Sequence, residues 1–73
     1  MKLGSVIRIK NAKDQVFNAI LMQDVYEKDM SEHYGNKKGE IVIEFVKVRR
    51  FIKSRNEYAA TETEYPVDSV VSE

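Results

Sequence analysis

A mainly β fold follows from three features of this 73-residue chain. The segment Glu40 to Ile52, EIVIEFVKVRRFI, is dense in Ile, Val and Phe, residues that suit a pleated, half-buried surface. Asn, Asp and Gly punctuate the chain and divide it into short apolar runs. No apolar set keeps a helical spacing for more than two turns. The expectation is a small five-stranded barrel or a strongly bent antiparallel sheet, with a short helical turn near 28–33, forming one domain over 1–73.

Each element has its own warrant. Ser5 to Lys10, SVIRIK, is short, β-branched and followed by Asn11, which reads as a strand running into an Asn/Asp turn. Gln15 to Tyr34 contains no Gly or Pro and admits two readings. As a helix it would start at Asp14 and stop at Gly35, but its stripe of Phe17, Ile20 and Leu21 then meets Asp24 and Lys28. As a strand, Gln15 to Val25 puts Phe17, Ala19, Leu21 and Val25 on one face and Val16, Ile20, Met22 and Tyr26 on the other. The strand is the reading preferred here. Glu27 to Gly39, EKDMSEHYGNKKG, is a polar loop, long for a connection of this kind.

The third strand carries a change of phase. Ile41, Ile43 and Phe45 share one parity, whereas Val46, Val48 and Ile52 share the other, which calls for a bulge or bend near Glu44 to Lys47. A turn at Ser54 to Glu57 then returns Tyr58 to Tyr65 as the hairpin partner, ended by Pro66. In the register expected for that hairpin, Lys47 faces Glu64, Arg49 faces Glu62, Phe51 faces Ala60 and Lys53 faces Tyr58. The tail EYPVDSVV supplies one short turn and a closing strand.

The order of elements, a first strand, a long second strand, a long loop, a bent third strand, a hairpin return and the tail EYPVDSVV, resembles SH3-like small barrels. In such domains a 3₁₀ turn often precedes the last strand, and the resemblance implies the same here. Functionally that resemblance leads to binding of protein or nucleic acid without choosing between them.

Composition narrows the function classes. Twelve Lys and Arg balance twelve Asp and Glu, so the chain lacks the basic excess typical of dedicated nucleic-acid binders. There is no cysteine, hence no disulfide, thiolate metal site or cysteine nucleophile. MKLGSVIRIK breaks its apolar stretch with Arg8 and Lys10, unlike a signal peptide, and no run approaches the ~20 apolar residues of a membrane span. A cytoplasmic setting is expected, with no membrane association. His33 is the single histidine, and with Asp29 and Glu32 it makes a poor metal set; Y-G-N-K-K-G-E lacks the spacing of a phosphate-binding loop. Carboxylates pair at Glu62/Glu64 and at Glu40/Glu44; the first pair shares one strand face beside threonines, a solvated setting rather than the buried one that tunes catalytic carboxylates. No enzyme, no cofactor and no metal is therefore expected.

The remaining signal is KVRRFIKSR, residues 47–55. If fully extended it puts Lys47, Arg49, Phe51, Lys53 and Arg55 on one face, the pattern of a base-stacking, phosphate-neutralising platform. In the hairpin register above, however, Lys47 and Arg49 meet carboxylates. What stays unanswered is the tip: Arg50, Phe51, Lys53 and Arg55, with Tyr58 beside them. Arginine and aromatics are enriched at protein interfaces, so this tip is the first candidate contact site. The loop surface of Tyr26, Met30, His33 and Tyr34 is the second. The expected function is a non-enzymatic protein-interaction module, such as an accessory or regulatory factor of bacteria or phages. The alternative is nucleic-acid binding through 47–55, and self-association is a further option for apolar residues left on both faces of the second strand.

Overall fold

The computed structural model describes residues 1–72. Six antiparallel strands form it: β1 Val6–Lys10, β2 Val16–Asp29, β3 Val42–Ile52, β4 Glu57–Tyr58, β5 Thr63–Pro66 and β6 Val70–Ser72. Their order is β4-β3-β2-β1-β6, with β5 also pairing β3. The helical segments among the described residues are 3₁₀ turns at Glu32–Tyr34, Lys53–Arg55 and Val67–Ser69. The sheet is open and has six strands, so the mainly β antiparallel expectation holds while the closed five-stranded barrel does not form. The Val67–Ser69 turn separates β5, which lies on β3, from β6, which lies on β1.

The β1–β2 hairpin turns where Asn and Asp predict it. The Asn11 side-chain oxygen accepts from the Lys13 and Gln15 amides (2.9 and 3.0 Å), and Asp14 takes a left-handed φ of 62°. Both acts suit short polar side chains near a turn. The core lies on one face of β1, β2 and β3. Ile7, Ile9, Ala19, Leu21, Val46 and Val48 are all 0% exposed, with Phe17, Tyr65, Val67 and Val70 packed at their margin. Burial of each large aliphatic side chain contributes about 1.5–3 kcal/mol, so these few residues carry much of the fold.

The phase change in β3 is real, but the irregularity sits in its neighbour. Phe45 and Val46 are consecutive and both buried, Val46 in the core and Phe45 on the opposite face beside Tyr26. Pairing runs Leu21↔Val48, then Gln23↔Lys47, then Tyr26↔Phe45, so β2 carries one extra residue at each of two steps. Against β5 the register of β3 is unbroken from Phe45↔Pro66 to Val48↔Thr63. The bulges therefore fall at Met22 and at Asp24–Val25, where exposed side chains tolerate displacement, rather than within Glu44 to Lys47.

β2 is also longer than expected, running through Glu27 and Lys28 to Asp29. The 3₁₀ turn correspondingly moves from 28–33 to Glu32–Tyr34. The reason is that Tyr26 and Lys28 pack over Phe45 and so keep a strand period through polar residues. The β2–β3 arm extends beyond the core and gives the molecule an elongated outline of 43 × 26 × 22 Å. On this arm Glu27 stands directly opposite Glu44, a like-charge pair.

Two stability outcomes follow from this arrangement. Leu21→Ala should cost about 2–4 kcal/mol in denaturant unfolding, a large part of the total stability of so short a chain. Glu44→Lys should raise stability by about 0.5 kcal/mol through pairing with Glu27, and a loss would contradict the cross-strand register.

Candidate contact groove at the splayed end of the sheet

The return limb of the third hairpin falls into two registers. Lys47 does face Glu64, as expected, within the β3–β5 ladder. Nearer the turn the pairs are Phe51↔Tyr58 and Ile52↔Glu57, two residues out of step with that ladder. Ala60, Thr61 and Glu62 stand outside both ladders and absorb the difference. The expected pair of Arg49 and Glu62 therefore does not form, nor do Phe51 with Ala60 and Lys53 with Tyr58. Instead the Arg49 guanidinium Nε donates to the Ala59 carbonyl (2.6 Å), while the Ala59 amide donates to the Arg50 carbonyl (2.7 Å). Arg49 is thus committed to closing its own hairpin.

The tip itself leaves the strand alternation. Lys53–Arg55 is a 3₁₀ turn closed by Asn56, whose φ is 51° and whose amide donates to the Lys53 carbonyl (3.2 Å). Lys53 and Arg55 consequently do not share the face of Lys47, Arg49 and Phe51. Phe51 and Tyr58 pack edge-on at 5.1 Å between ring centroids, and Arg55 lies 3.9 Å from Glu57. Arg50 points to the other face, where its guanidinium carbon sits 4.3 Å over the ring of Phe17. Phe17 in turn packs against Tyr65 at 5.6 Å.

The same end of the sheet opens between β2 and β3. Their ladder stops at Ala19↔Arg50. Beyond it Val16, Phe17 and Asn18 pair only with β1, while Phe51 and Ile52 pair only with β4. The parting leaves a groove of about 620 Å³, bounded by Val16–Asn18, by Arg50–Lys53 and by Ala59, Thr61 and Thr63. Its lining holds Arg50 and Lys53 but no carboxylate, and neither cation makes an ion pair among the described residues. Sequence reasoning found Arg50, Phe51 and Lys53 but missed Val16–Asn18, because only the loss of pairing, which no residue type signals, places them opposite.

The second predicted surface separates into two parts. Tyr26 lies in β2, where its hydroxyl donates to the Glu64 carboxylate and the Lys28 ammonium makes a 3.1 Å ion pair with the other oxygen. Lys47 lies over the Tyr26 ring and Lys28 over Phe45. Burial first, then the hydrogen bond and charge of Glu64, push the Tyr26 phenol up to about 12. The Tyr26 hydrogen bond, followed by that of Lys28, holds Glu64 below the ordinary carboxyl range. Tyr26 is therefore a sheet brace rather than a loop contact.

Met30, His33 and Tyr34 lie in the loop proper. Met30 is half-buried, whereas His33 and Tyr34 are exposed and packed edge-on at 5.1 Å. Below them Ser31 is fully buried, its hydroxyl accepting from the Ile41 amide (2.7 Å) and donating to the Ile41 carbonyl (3.3 Å). The Asp29 carboxylate accepts from the Ser31 and Gly39 amides (3.0 and 2.8 Å). Hydrogen bonding from Ser31, and then from the Gly39 amide, holds the Asp29 carboxyl below its ordinary value. Among the described residues no three His, Asp or Glu side chains gather to hold a metal ion, and no helix is long and apolar enough to cross a membrane.

No protein-family model, curated protein or solved structure matches the chain.

The Tyr26–Glu64 brace predicts a specific titration. In alkaline spectrophotometric titration one of the four tyrosines should ionise late, near 12. Tyr26→Phe should abolish that step, and Glu64→Gln should move it partway towards 10, since burial remains. Because the Tyr26 value is raised, its contribution to stability is full below the ordinary phenol value and fades as pH rises towards 12. Because the Glu64 value is lowered, its contribution is full above the ordinary carboxyl value and fades as pH falls through the lowered one. The melting temperatures of wild type and Tyr26→Phe should thus differ most between these limits and converge at both ends; a constant difference would remove the brace.

Proposed function

We propose that the chain is a small, non-enzymatic binding module whose partner is a protein, engaged at the splayed groove and the adjoining hairpin tip. The observation that carries this reading is the end of the β2–β3 ladder just past Ala19↔Arg50, beyond which Val16 on one strand and Ile52 on the other have no partner across the gap between them. A strand edge is a template for another backbone, and proteins use such edges for recognition. The side chains beside it, Arg50, Phe51 and Tyr58, belong to the types enriched at interfaces. The order of elements, with a 3₁₀ turn leading into a last strand that lies on the first, supports an open SH3-like arrangement, a scaffold compatible with an accessory or regulatory role in the cytoplasm.

Protein is favoured over nucleic acid because the basic stretch is dispersed. Arg49 is bonded to Ala59, Lys47 lies over Tyr26, and Arg50 is on the face opposite Phe51. A base-stacking platform needs its cations around one exposed ring. The net charge of zero points the same way.

The test compares proteins captured from the native cell by wild type, Arg50→Glu and His33→Ala. Partners should be retained by wild type and by the loop variant and lost from the groove variant. An identical set on all three would remove the groove as the site. In parallel, gel shifts with mixed-sequence DNA and RNA at low salt should show no complex; a complex that weakens steeply with salt would transfer the function to nucleic acid.

A further inference from the structure

We infer that the groove receives an extended, acidic peptide segment, which adds as a strand along the β3-facing edge of β2 at Val16–Asn18 and sets a carboxylate on Arg50 and Lys53. The inference rests on the protein-binding reading above and specifies its partner. Three observations converge on it.

The first is backbone geometry. Leu21 exchanges hydrogen bonds with the β1 side, its amide donating to Ser5 and its carbonyl accepting from Gly4, and the Gln15 carbonyl accepts from Asn11 on that same side. Odd-numbered residues of β2 thus face β1 and even-numbered ones face β3. The last pair, Ala19↔Arg50, is bracketed by bonding at Ile20–Arg49 and from the Phe51 amide to the Asn18 carbonyl, which leaves the Asn18 amide and both backbone groups of Val16 facing the groove. A segment lying there finds the same directional demand that a sheet neighbour satisfies, and an extended chain is the conformation that meets it.

The second is charge. The groove carries Arg50 and Lys53 and no anion, in a chain whose total charge is zero. The neighbouring cations are already occupied: Lys10 by Asp14, Arg55 by Glu57 and Arg49 by Ala59. Arg50 is held in place by the Phe17 ring beneath it, so it loses little freedom on meeting a carboxylate.

The third is the apolar lining. Val16 and Phe17 lie between Gln15 and Asn18, and Phe51 and Ile52 between Arg50 and Lys53, so an incoming strand, whose side chains alternate in direction, can set acidic residues towards the cations and apolar ones towards these side chains. A polyanion of phosphates would answer the cations but leave the strand edge and the apolar wall unused.

The experiment selects a displayed library of random octapeptides on the intact chain and then measures synthetic copies of the enriched sequences by fluorescence anisotropy. Enriched peptides should carry Asp or Glu alternating with apolar residues and should shift the amide resonances of Val16–Asn18 and Phe51–Ile52. Lys53→Glu, an exposed turn substitution, should weaken them by at least about tenfold. Arg50→Gln should do the same, with circular dichroism verifying that the sheet persists. Methylating the peptide amides of one alternating phase should abolish binding, while methylating the other should not. Enriched peptides that map to the groove but lack a carboxylate, or that tolerate both methylation phases, would overturn this inference and leave the protein-binding reading intact. Failure to enrich any peptide that maps to the groove would overturn both. A mixed oligonucleotide shifting the same resonances, and competing with the peptides at low salt only, would assign the cations to phosphate instead.

Discussion

β3 has to satisfy different neighbours on its two sides with one backbone. On one side it pairs with β2, on the other first with β5 and then with β4. A strand has a fixed repeat of two, so its neighbours must adjust when the apolar phase of β3 changes at Phe45–Val46. β2 adjusts by two single-residue bulges, and the return limb adjusts by expelling Ala60–Glu62. The core, the long arm and the splayed end all follow from those accommodations. β3 stays continuous because its side chains are the ones buried on both faces, whereas the residues displaced from its neighbours are exposed.

The accommodations also divide the basic stretch 47–55 into separate fates. Lys47 lies in the regular ladder opposite Glu64 and over Tyr26, and Arg49 is used in the hairpin. Arg50 reaches the open end of the core, and Lys53 and Arg55 fall in the turn. What reads along the chain as one cationic stripe is, in space, a brace, a clasp and a groove wall. The brace holds Glu64 against Tyr26 and Lys28, which ties β5 to β2 across β3 on the face away from the core.

Much of the architecture was legible because local chemistry and tertiary packing agree. The strand over 15–25, the Asn11–Asp14 turn, the phase change near Phe45 and the short turn before the last strand each have a residue signature that the fold uses. The Lys47–Glu64 pair was legible for the same reason: one register within β5 brings opposite charges together. Three things were not. The extension of β2 to Asp29 depends on Tyr26 and Lys28 finding partners on Phe45 and Glu64, which polarity alone conceals. The register step at Ala60–Glu62 is a compromise between two ladders, and charge matching at Arg49 and Glu62 suggested one ladder throughout. The groove is a place where pairing stops, so half of its wall consists of residues that read as ordinary strand.

The base of the loop between β2 and β3 has a practical consequence. Ser31 and Ile41 exchange hydrogen bonds, the Met30 amide also reaches the Ile41 carbonyl (2.8 Å), and Asp29 reaches across to Gly39. These contacts close the loop beneath its tip, so Glu32 to Lys38 can change in length or content while the ends stay at a fixed separation. Loop-closure entropy grows only slowly with added residues when the ends are already held. The tip is therefore a natural insertion point for a fluorophore-bearing tag, a purification epitope or a second domain, mounted on a rigid stem at the end of the arm remote from the groove.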